Sequence, residues 1–279
     1  MQNIKKHISN ELKELYSPGE IRIITSMILE RELNISRIDI LNCKFSQLSG
    51  EAAGKVEKII DRLKKSEPIQ YVFEEADFYD MKFKVNSDVL IPRPETEELV
   101  EWVLKSIGKN PLKILDIGTG SGCIAVTIAK KAPQTEVHAW DISNGALRMA
   151  RENAQLHGVE VTFSQKDILT EQSCSTQFDV IISNPPYICE SERAEMENNV
   201  LNHEPHLALF VPDEEPLIFY DRISDFAIAN LHRGGLLFFE INRAGGDAIE
   251  RMLQEKGFGN IELRKDMSGN NRMIQAERI

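Results

Sequence analysis

The feature that most constrains this chain is an alternation of short apolar strands with helical-period segments, running from Ile114 almost to the C-terminus. Ile114-Leu115-Asp116-Ile117 reads as a strand, followed by a glycine-rich turn and a helix from Cys123 to Lys130. Val137-His138-Ala139-Trp140-Asp141 is a second strand, with a helix through Ala146, Met149 and Ala150 after it. Val161-Thr162-Phe163, Phe178 to Ile182 and Leu236 to Ile241 follow as the third, fourth and fifth. A helix around Ile249–Leu253 then precedes strands at Ile261–Leu263 and Met273–Ala276. Strands that alternate with helices form mostly parallel sheets, because a parallel crossover needs a helix and the helices cover both faces. The expectation is an α/β class, doubly wound, mostly parallel seven-stranded sheet whose last two strands, having no long helix between them, pair antiparallel at one edge.

Residues 1–75 read differently. Apolar residues recur at helical spacing through Leu12, Leu15, Ile21, Ile24, Met27, Ile28, Val56, Ile59, Ile60 and Leu63, with Ser17 or Ser49 as helix caps. This predicts a small N-terminal helical bundle, either a folding appendage or a module that recruits substrate. Residues 76–93 then show the alternation of a linking β-hairpin, with Phe78, Phe83, Val85, Val89, Leu90 and Ile91 as its apolar positions. Pro94 sits where an early helical residue belongs, so the third segment is taken as 94–279.

Charge divides unevenly. Residues 1–75 carry 12 basic and 12 acidic residues and the remainder 21 and 32, so the net −11 belongs entirely to the larger part. Affinity for a phosphate backbone rests on Lys and Arg, so direct nucleic-acid binding is not expected. Cys43, Cys123, Cys174 and Cys189 show no C-x-x-C spacing, and His203-Glu204-Pro205-His206 is broken by its proline, so no metal site is expected. No apolar run is long enough to span a membrane and no signal segment opens the chain, which points to the cytoplasm.

In an open α/β sheet the ligand crevice lies beyond the carboxyl ends of the strands. Asp116 to Gly122 leaves the first strand as Gly118-Thr119-Gly120-Ser121-Gly122, a loop permitting close ligand approach at a helix start. It lacks the G-x-G-x-x-G spacing of a dinucleotide fingerprint and the Lys-Ser/Thr ending of a P-loop. Asp141, at the end of the second strand, can accept hydrogen bonds from both hydroxyls of a ribose. Asp167, near the end of the third, can accept from an adenine amino group, with Ile168 packing on the ring. Together these residues suit an adenosine-bearing ligand.

Asn184-Pro185-Pro186-Tyr187 follows the fourth strand and opens onto the same crevice. Two prolines fix the backbone and remove two N–H donors, leaving the Asn184 side-chain oxygen and the Pro185 carbonyl as acceptors. They can receive both hydrogens of an NH₂ group and aim its lone pair at a methyl donor, with Tyr187 walling the pocket. Accepting those hydrogens stabilises charge that develops on a poorly nucleophilic amide nitrogen.

The chain resembles the HemK/PrmC-type protein-(glutamine-N5) methyltransferases of peptide chain release factors. The resemblance rests on Glu67-Pro68-Ile69-Gln70-Tyr71, Val89 to Glu97, Asp116 to Gly122, Ser183 to Ile188, and His203-Glu204-Pro205 with Ala208-Leu209. It implies S-adenosylmethionine held by Gly118 to Gly122, Asp141, Asp167, Ile168 and Asn184. It further implies a release-factor Gly-Gly-Gln glutamine held by Asn184, Pro185, Pro186 and Tyr187, with Asn184, Pro185 and Tyr187 at the chemistry. Arg93 and Glu95 shape the pocket floor or brace the Asn184–Tyr187 loop, or else form an interdomain salt bridge. The chain departs from the family pattern at Phe73-Glu74-Glu75, at Glu240-Ile241-Asn242, and at Pro212 to Pro216.

Overall fold

The computed structural model describes residues 4–35, 38 and 50–279. Ser49 and Cys43 lie outside the described residues. The described residues fall into two packing units. One ends at Phe73 and includes Glu197–His203; the other comprises Glu74–Met196 and Glu204–Ile279.

In the smaller unit, helices α1 (Ile4–Leu12), α2 (Pro18–Leu33), α3 (Gly50–Leu63) and the single turn α4 (Ile69–Val72) are set by local signals. Ser17 caps α2 reciprocally: its Oγ accepts the Glu20 N–H at 3.3 Å, and the Glu20 carboxylate accepts the Ser17 N–H at 2.8 Å. Ile8, Leu12, Ile24, Ile28, Val56 and Ile60 interlock as its core. Arg62 fastens the stretch that follows, donating to both Glu67 carboxylate oxygens at 2.8 and 2.6 Å and to the Val72 carbonyl at 2.9 Å.

The larger unit opens with a hairpin of β1 (Glu75–Phe78) and β2 (Met81–Lys84). Tyr79 and Asp80 both take positive φ, which matches a two-residue turn to the strands' twist. Helix α5 (Pro94–Ile107) then starts with proline at its first turn, as expected. The sheet strands are β3 (Lys113–Ile117), β4 (Glu136–Asp141), β5 (Thr162–Gln165), β6 (Phe178–Ser183), β9 (Leu231–Glu240), β10 (Phe258–Lys265) and β11 (Asn271–Arg278). Between β6 and β9 come a two-residue parallel pair, β7 (Ile188–Cys189) and β8 (Phe210–Val211), and the short helix α8 (Asn198–His203). Helices α6 (Cys123–Lys131), α7 (Asn144–His157), α9 (Ile218–Asn230) and α10 (Gly246–Glu255) complete the layers.

The strand order is β10-β11-β9-β6-β3-β4-β5, and the α/β seven-stranded sheet is mostly parallel, as its sequence pattern implies. Both faces are covered, so neighbouring positions on one strand feed different cores. Val180, Ile182 and Phe238 join the cluster formed with α5 and α6. Ile181, Leu237 and Phe239 join the cluster containing Ile223, Phe226 and Ile249. Each such fully buried aliphatic or aromatic side chain stabilises the fold by about 1.5–3 kcal/mol.

The last two strands pair antiparallel at one edge of the sheet, as expected, with β10 outermost and β11 also pairing antiparallel with β9. Met273, Ile274 and Ala276 are buried, and an interior position buries them. Strand β9 begins at Leu231 rather than Leu236, and β5 is displaced to Thr162–Gln165. Helix α9 goes unrecognised in sequence although Tyr220, Ile223, Phe226 and Ala227 form its buried stripe.

Consecutive strands run outward from β3 toward β5 on one side, and β6 starts the other side. The switch point therefore lies between the carboxyl ends of β3 and β6, where such sheets take their ligands.

Candidate active site

The loop after β3 is folded back by its own strand neighbours. Gly118 and Thr119 both donate their N–H groups to the Trp140 carbonyl, at 2.9 and 3.0 Å. Gly120 donates its N–H to Asp141 Oδ2 at 2.9 Å, and Ser143 donates to Asp141 Oδ1 at 2.8 Å. A carboxylate has about four acceptor sites, so Asp141 retains capacity toward the cavity that it lines. Burial pushes its carboxyl above the ordinary carboxylate range, while these backbone donors pull the other way.

Behind the loop, Asp116 is fully buried. Thr119 donates to its Oδ2 at 2.6 Å, and its Oδ1 has no partner among the described residues. Burial raises its pKa to about 7; Thr119 opposes the rise and the charge of Asp141 adds to it. Asn153 of α7 holds this corner together. It accepts from Lys84 N at 2.7 Å and donates to the carbonyls of Lys84 and Ser121, at 2.9 and 2.8 Å. One buried amide thus ties the hairpin to the glycine loop.

Among the residues expected from sequence, Gly118, Thr119, Gly120, Ser121, Asp141, Asp167, Ile168, Asn184, Pro185 and Pro186 line a single cavity. Gly122 and Tyr187 are not among its lining residues. Gly122 starts α6 at φ 81°, with Ala150 filling the place where a side chain would stand. Tyr187 packs against the core cluster on the α9 face and turns its hydroxyl to Glu240 Oε1 at 3.4 Å. Asp167 accepts the Leu169 N–H at 3.0 Å, shaping the turn that presents Ile168.

Ideal Cβ positions at Gly118 and Gly120 meet nothing within 4 Å, so the cradle is open where a ligand would press on backbone. Across it, Ser183 Oγ donates to the Ile117 carbonyl at 2.7 Å, locking the end of β6 beside the end of β3. Asn184 follows directly, and its Nδ2 donates to Thr96 Oγ1 at 3.3 Å. Thr96 donates in turn to Glu240 Oε2 at 2.6 Å. Glu240 is buried, and burial raises its pKa to about 7 against the pull of Thr96 and Arg272. Burial, with Glu240 nearby, also keeps the Tyr187 phenol protonated.

Sequence reasoning did not find Thr96 or Glu240, nor Trp140, Ile142, Leu207 and Phe219, which with Thr96 line the cavity. Thr96 lies inside the Val89-to-Glu97 segment and Glu240 at the end of β9, so position near a strand end was the available signal. Of the two alternatives for Arg93, its ion pair is made inside the larger unit: Arg93 Nη2 meets Glu204 Oε1 at 2.6 Å.

Comparison with known proteins follows the same division. Residues 96–206 match the family model described as Methyltransferase small domain, and residues 4–73 match the PrmC N-terminal domain. The chain is 43% identical to the release factor glutamine methyltransferase of Bacteroides thetaiotaomicron, over 100% of both chains. It is 42% identical to that of Flavobacterium psychrophilum, over 99% of this chain and 98% of the relative. Among solved structures, a methyltransferase from Pyrococcus furiosus shares the fold, with a TM-score of 0.55 at 16% identity over 78% of this chain and 96% of that one.

Proposed function

The chain belongs to the release factor glutamine methyltransferases, and on that premise we propose that it methylates the side-chain amide nitrogen of the glutamine in a release factor's Gly-Gly-Gln loop, using S-adenosylmethionine. The observation that carries this reading is that the Gly118–Ser121 cradle, Asp141 and the Asn184-Pro185 acceptors line one cavity.

When bound, S-adenosylmethionine supplies an electrophilic methyl group on a sulfonium. Asp141 and the loop from Gly118 to Ser121 hold its nucleoside and amino-acid parts, and Ile168 packs on its ring. The open space over Gly118 and Gly120 fits such a ligand, since it leaves room against the backbone that the protein does not fill.

An amide nitrogen is a poor nucleophile because its lone pair is delocalised into the carbonyl. Asn184 Oδ1 and the Pro185 carbonyl accept the two hydrogens of the substrate NH₂ and orient it. As positive charge grows on nitrogen, these acceptors stabilise it more than they stabilise the neutral amide, which is the condition for catalysis. The proton leaves after transfer, so no strong base is required. Tyr187 supports this loop from behind through its contact with Glu240.

Residues 1–75 act in this reading as the recruiting module for the folded release factor, 76–93 as the connecting hairpin, and 94–279 as the catalytic part. Release factors work at the ribosome, which places the enzyme in the cytoplasm. No helix among the described residues is long and apolar enough to cross a membrane.

The test pairs purified enzyme and labelled S-adenosylmethionine with a release factor carrying Gln or Ala in its Gly-Gly-Gln loop. Label on the Gln form alone, mapped to that side-chain amide, is the expected result. Label on both forms, or on neither while donor binding is intact, would overturn it.

A further inference from the structure

An acceptor role for Asn184 depends on which end of its carboxamide faces the cavity. The side chain is nearly symmetric in shape, so packing alone discriminates weakly between oxygen outward and NH₂ outward. Hydrogen bonding decides, and the deciding partners lie far away in sequence. Thr96 Oγ1 stands 2.6 Å from Glu240 Oε2 and 3.3 Å from Asn184 Nδ2.

A threonine hydroxyl has one hydrogen to give. An ionised Glu240 only accepts, so that hydrogen is committed to the carboxylate in a short, charge-assisted bond. What Thr96 then offers Asn184 is a lone pair. Asn184 must answer with an N–H, and its oxygen is left facing the opposite way. A protonated Glu240 reverses the sequence. Its O–H can donate to Thr96, the Thr96 hydrogen is released toward Asn184, and an Asn184 oxygen turned inward becomes the matching acceptor.

We propose that Glu240, acting through Thr96, is a positioning residue that sets the orientation of the Asn184 carboxamide and thereby keeps its oxygen available to the substrate amide. This rests on the methyl-transfer reading given above and names the device that makes the acceptor pair an acceptor pair. Neither Thr96 nor Glu240 need touch the reacting atoms for it to work.

The surroundings of Glu240 bear on its charge from several elements. Arg272 on neighbouring β11 favours the ionised form. Glu95 on α5 disfavours it. Tyr187 donates to Oε1, and Tyr220 of α9 donates to the Glu240 backbone carbonyl at 3.2 Å, while Cys123 at the start of α6 also senses the carboxylate. With burial raising the pKa to about 7, the ionised form dominates only above neutrality.

Two measurements on the full chain test the relay. The first compares Thr96→Val, which removes the hydroxyl at constant shape, with Thr96→Ser, which keeps it. Thr96→Val should lower kcat by about tenfold or more with donor KM unchanged, and Thr96→Ser should stay within about threefold of the parent. Placed on Asn184→Ala, Thr96→Val should cost nothing further, because the two residues act as one unit. Equal kcat losses from Thr96→Val with Asn184 present or absent would overturn the proposal.

The second needs no substrate. In ¹⁵N-labelled protein, the Asn184 side-chain NH₂ resonances, assigned by their disappearance in Asn184→Ala, should shift with a midpoint near the Glu240 pKa of about 7. In Glu240→Gln that titration should vanish. Resonances that ignore pH in the parent, or that titrate unchanged in Glu240→Gln, would sink the relay. If the parent enzyme transfers no methyl to a release factor, the functional reading fails, and these resonances still decide the relay by themselves.

Discussion

Arg93 and Glu204 stand 111 residues apart in the chain, yet Arg93 Nη2 meets Glu204 Oε1 at 2.6 Å while Glu204 Oε2 accepts the Ile91 N–H at 3.2 Å. The pair fastens the proline-rich segment that carries Thr96 to the segment after α8. The Glu204 side chain is 1% exposed and that of Arg93 34%. Removing the arginine strands a carboxylate where water barely reaches. Arg93→Ala should therefore destabilise the protein by about 1–3 kcal/mol, at the lower end of what breaking a buried pair costs because the arginine keeps some solvent contact. Urea denaturation checks this, and an unchanged midpoint would mean that the pair has no structural role.

Two glycines of one loop should fail in different ways. At Gly122 an added Cβ would come within 3.0 Å of Ala150 Cβ and 3.1 Å of its Cα, at a φ of 81°. Gly122→Ala should cost about 2–4 kcal/mol of stability, from strained backbone and overpacking together. Gly118 has a similar φ of 76° but nothing within 4 Å. Gly118→Ala should cost only about 1–2 kcal/mol in stability. Its methyl projects into the open cradle, so donor affinity should fall on the order of tenfold, which is about 1.4 kcal/mol. Calorimetric titration with S-adenosylmethionine separates the two effects; a Gly118→Ala variant with full affinity would remove this loop from the donor site.

Asn184→Ala removes one of the two acceptors proposed for the substrate amide. By analogy with deleting one donor from an oxyanion hole, kcat should fall by about 10²–10³-fold. Donor affinity should change far less. Parallel losses in kcat and donor affinity would assign Asn184 to the donor rather than to the chemistry.

Stability should depend on pH in an unusual direction. Asp116 and Glu240 are both fully buried and both raised to about 7. Between the ordinary carboxylate pKa of about 4 and about 7, the folded state holds a proton on each that the unfolded chain has lost. Stability from these groups is therefore greatest at the acidic side of that window, declines as pH rises through it, and levels off above. Exposed carboxylates shifted downward, such as Glu20 and Asp213, act only below that window. The unliganded protein should melt higher at about pH 6 than at about pH 8, and Glu240→Gln should flatten part of the slope. A melting temperature that rises steadily toward about pH 8 would contradict the assignment.

Much of the sheet was legible because burial on two faces writes itself into local composition: Val180-Ile181-Ile182 needs no knowledge of distant residues to read as a buried strand. The glycine loop and the Asn184–Tyr187 segment were legible for a related reason. Backbone conformation and donor count are local properties, fixed by glycine and proline wherever they occur. Strand order was less accessible, since β11 enters between β9 and β10 through pairings that no window around Met273 reveals.

The site divides along the same line. Sequence alone determined which acceptors an Asn-Pro-Pro-Tyr turn can offer and that it follows a strand end. Only the tertiary structure decided which way the Asn184 amide faces, because Thr96 and Glu240 lie 88 and 56 positions away in the chain and meet only when α5 packs against β9. A hydrogen bond acts over about 3 Å of space and is indifferent to separation along the chain. Such partners become visible only once the fold has brought them together.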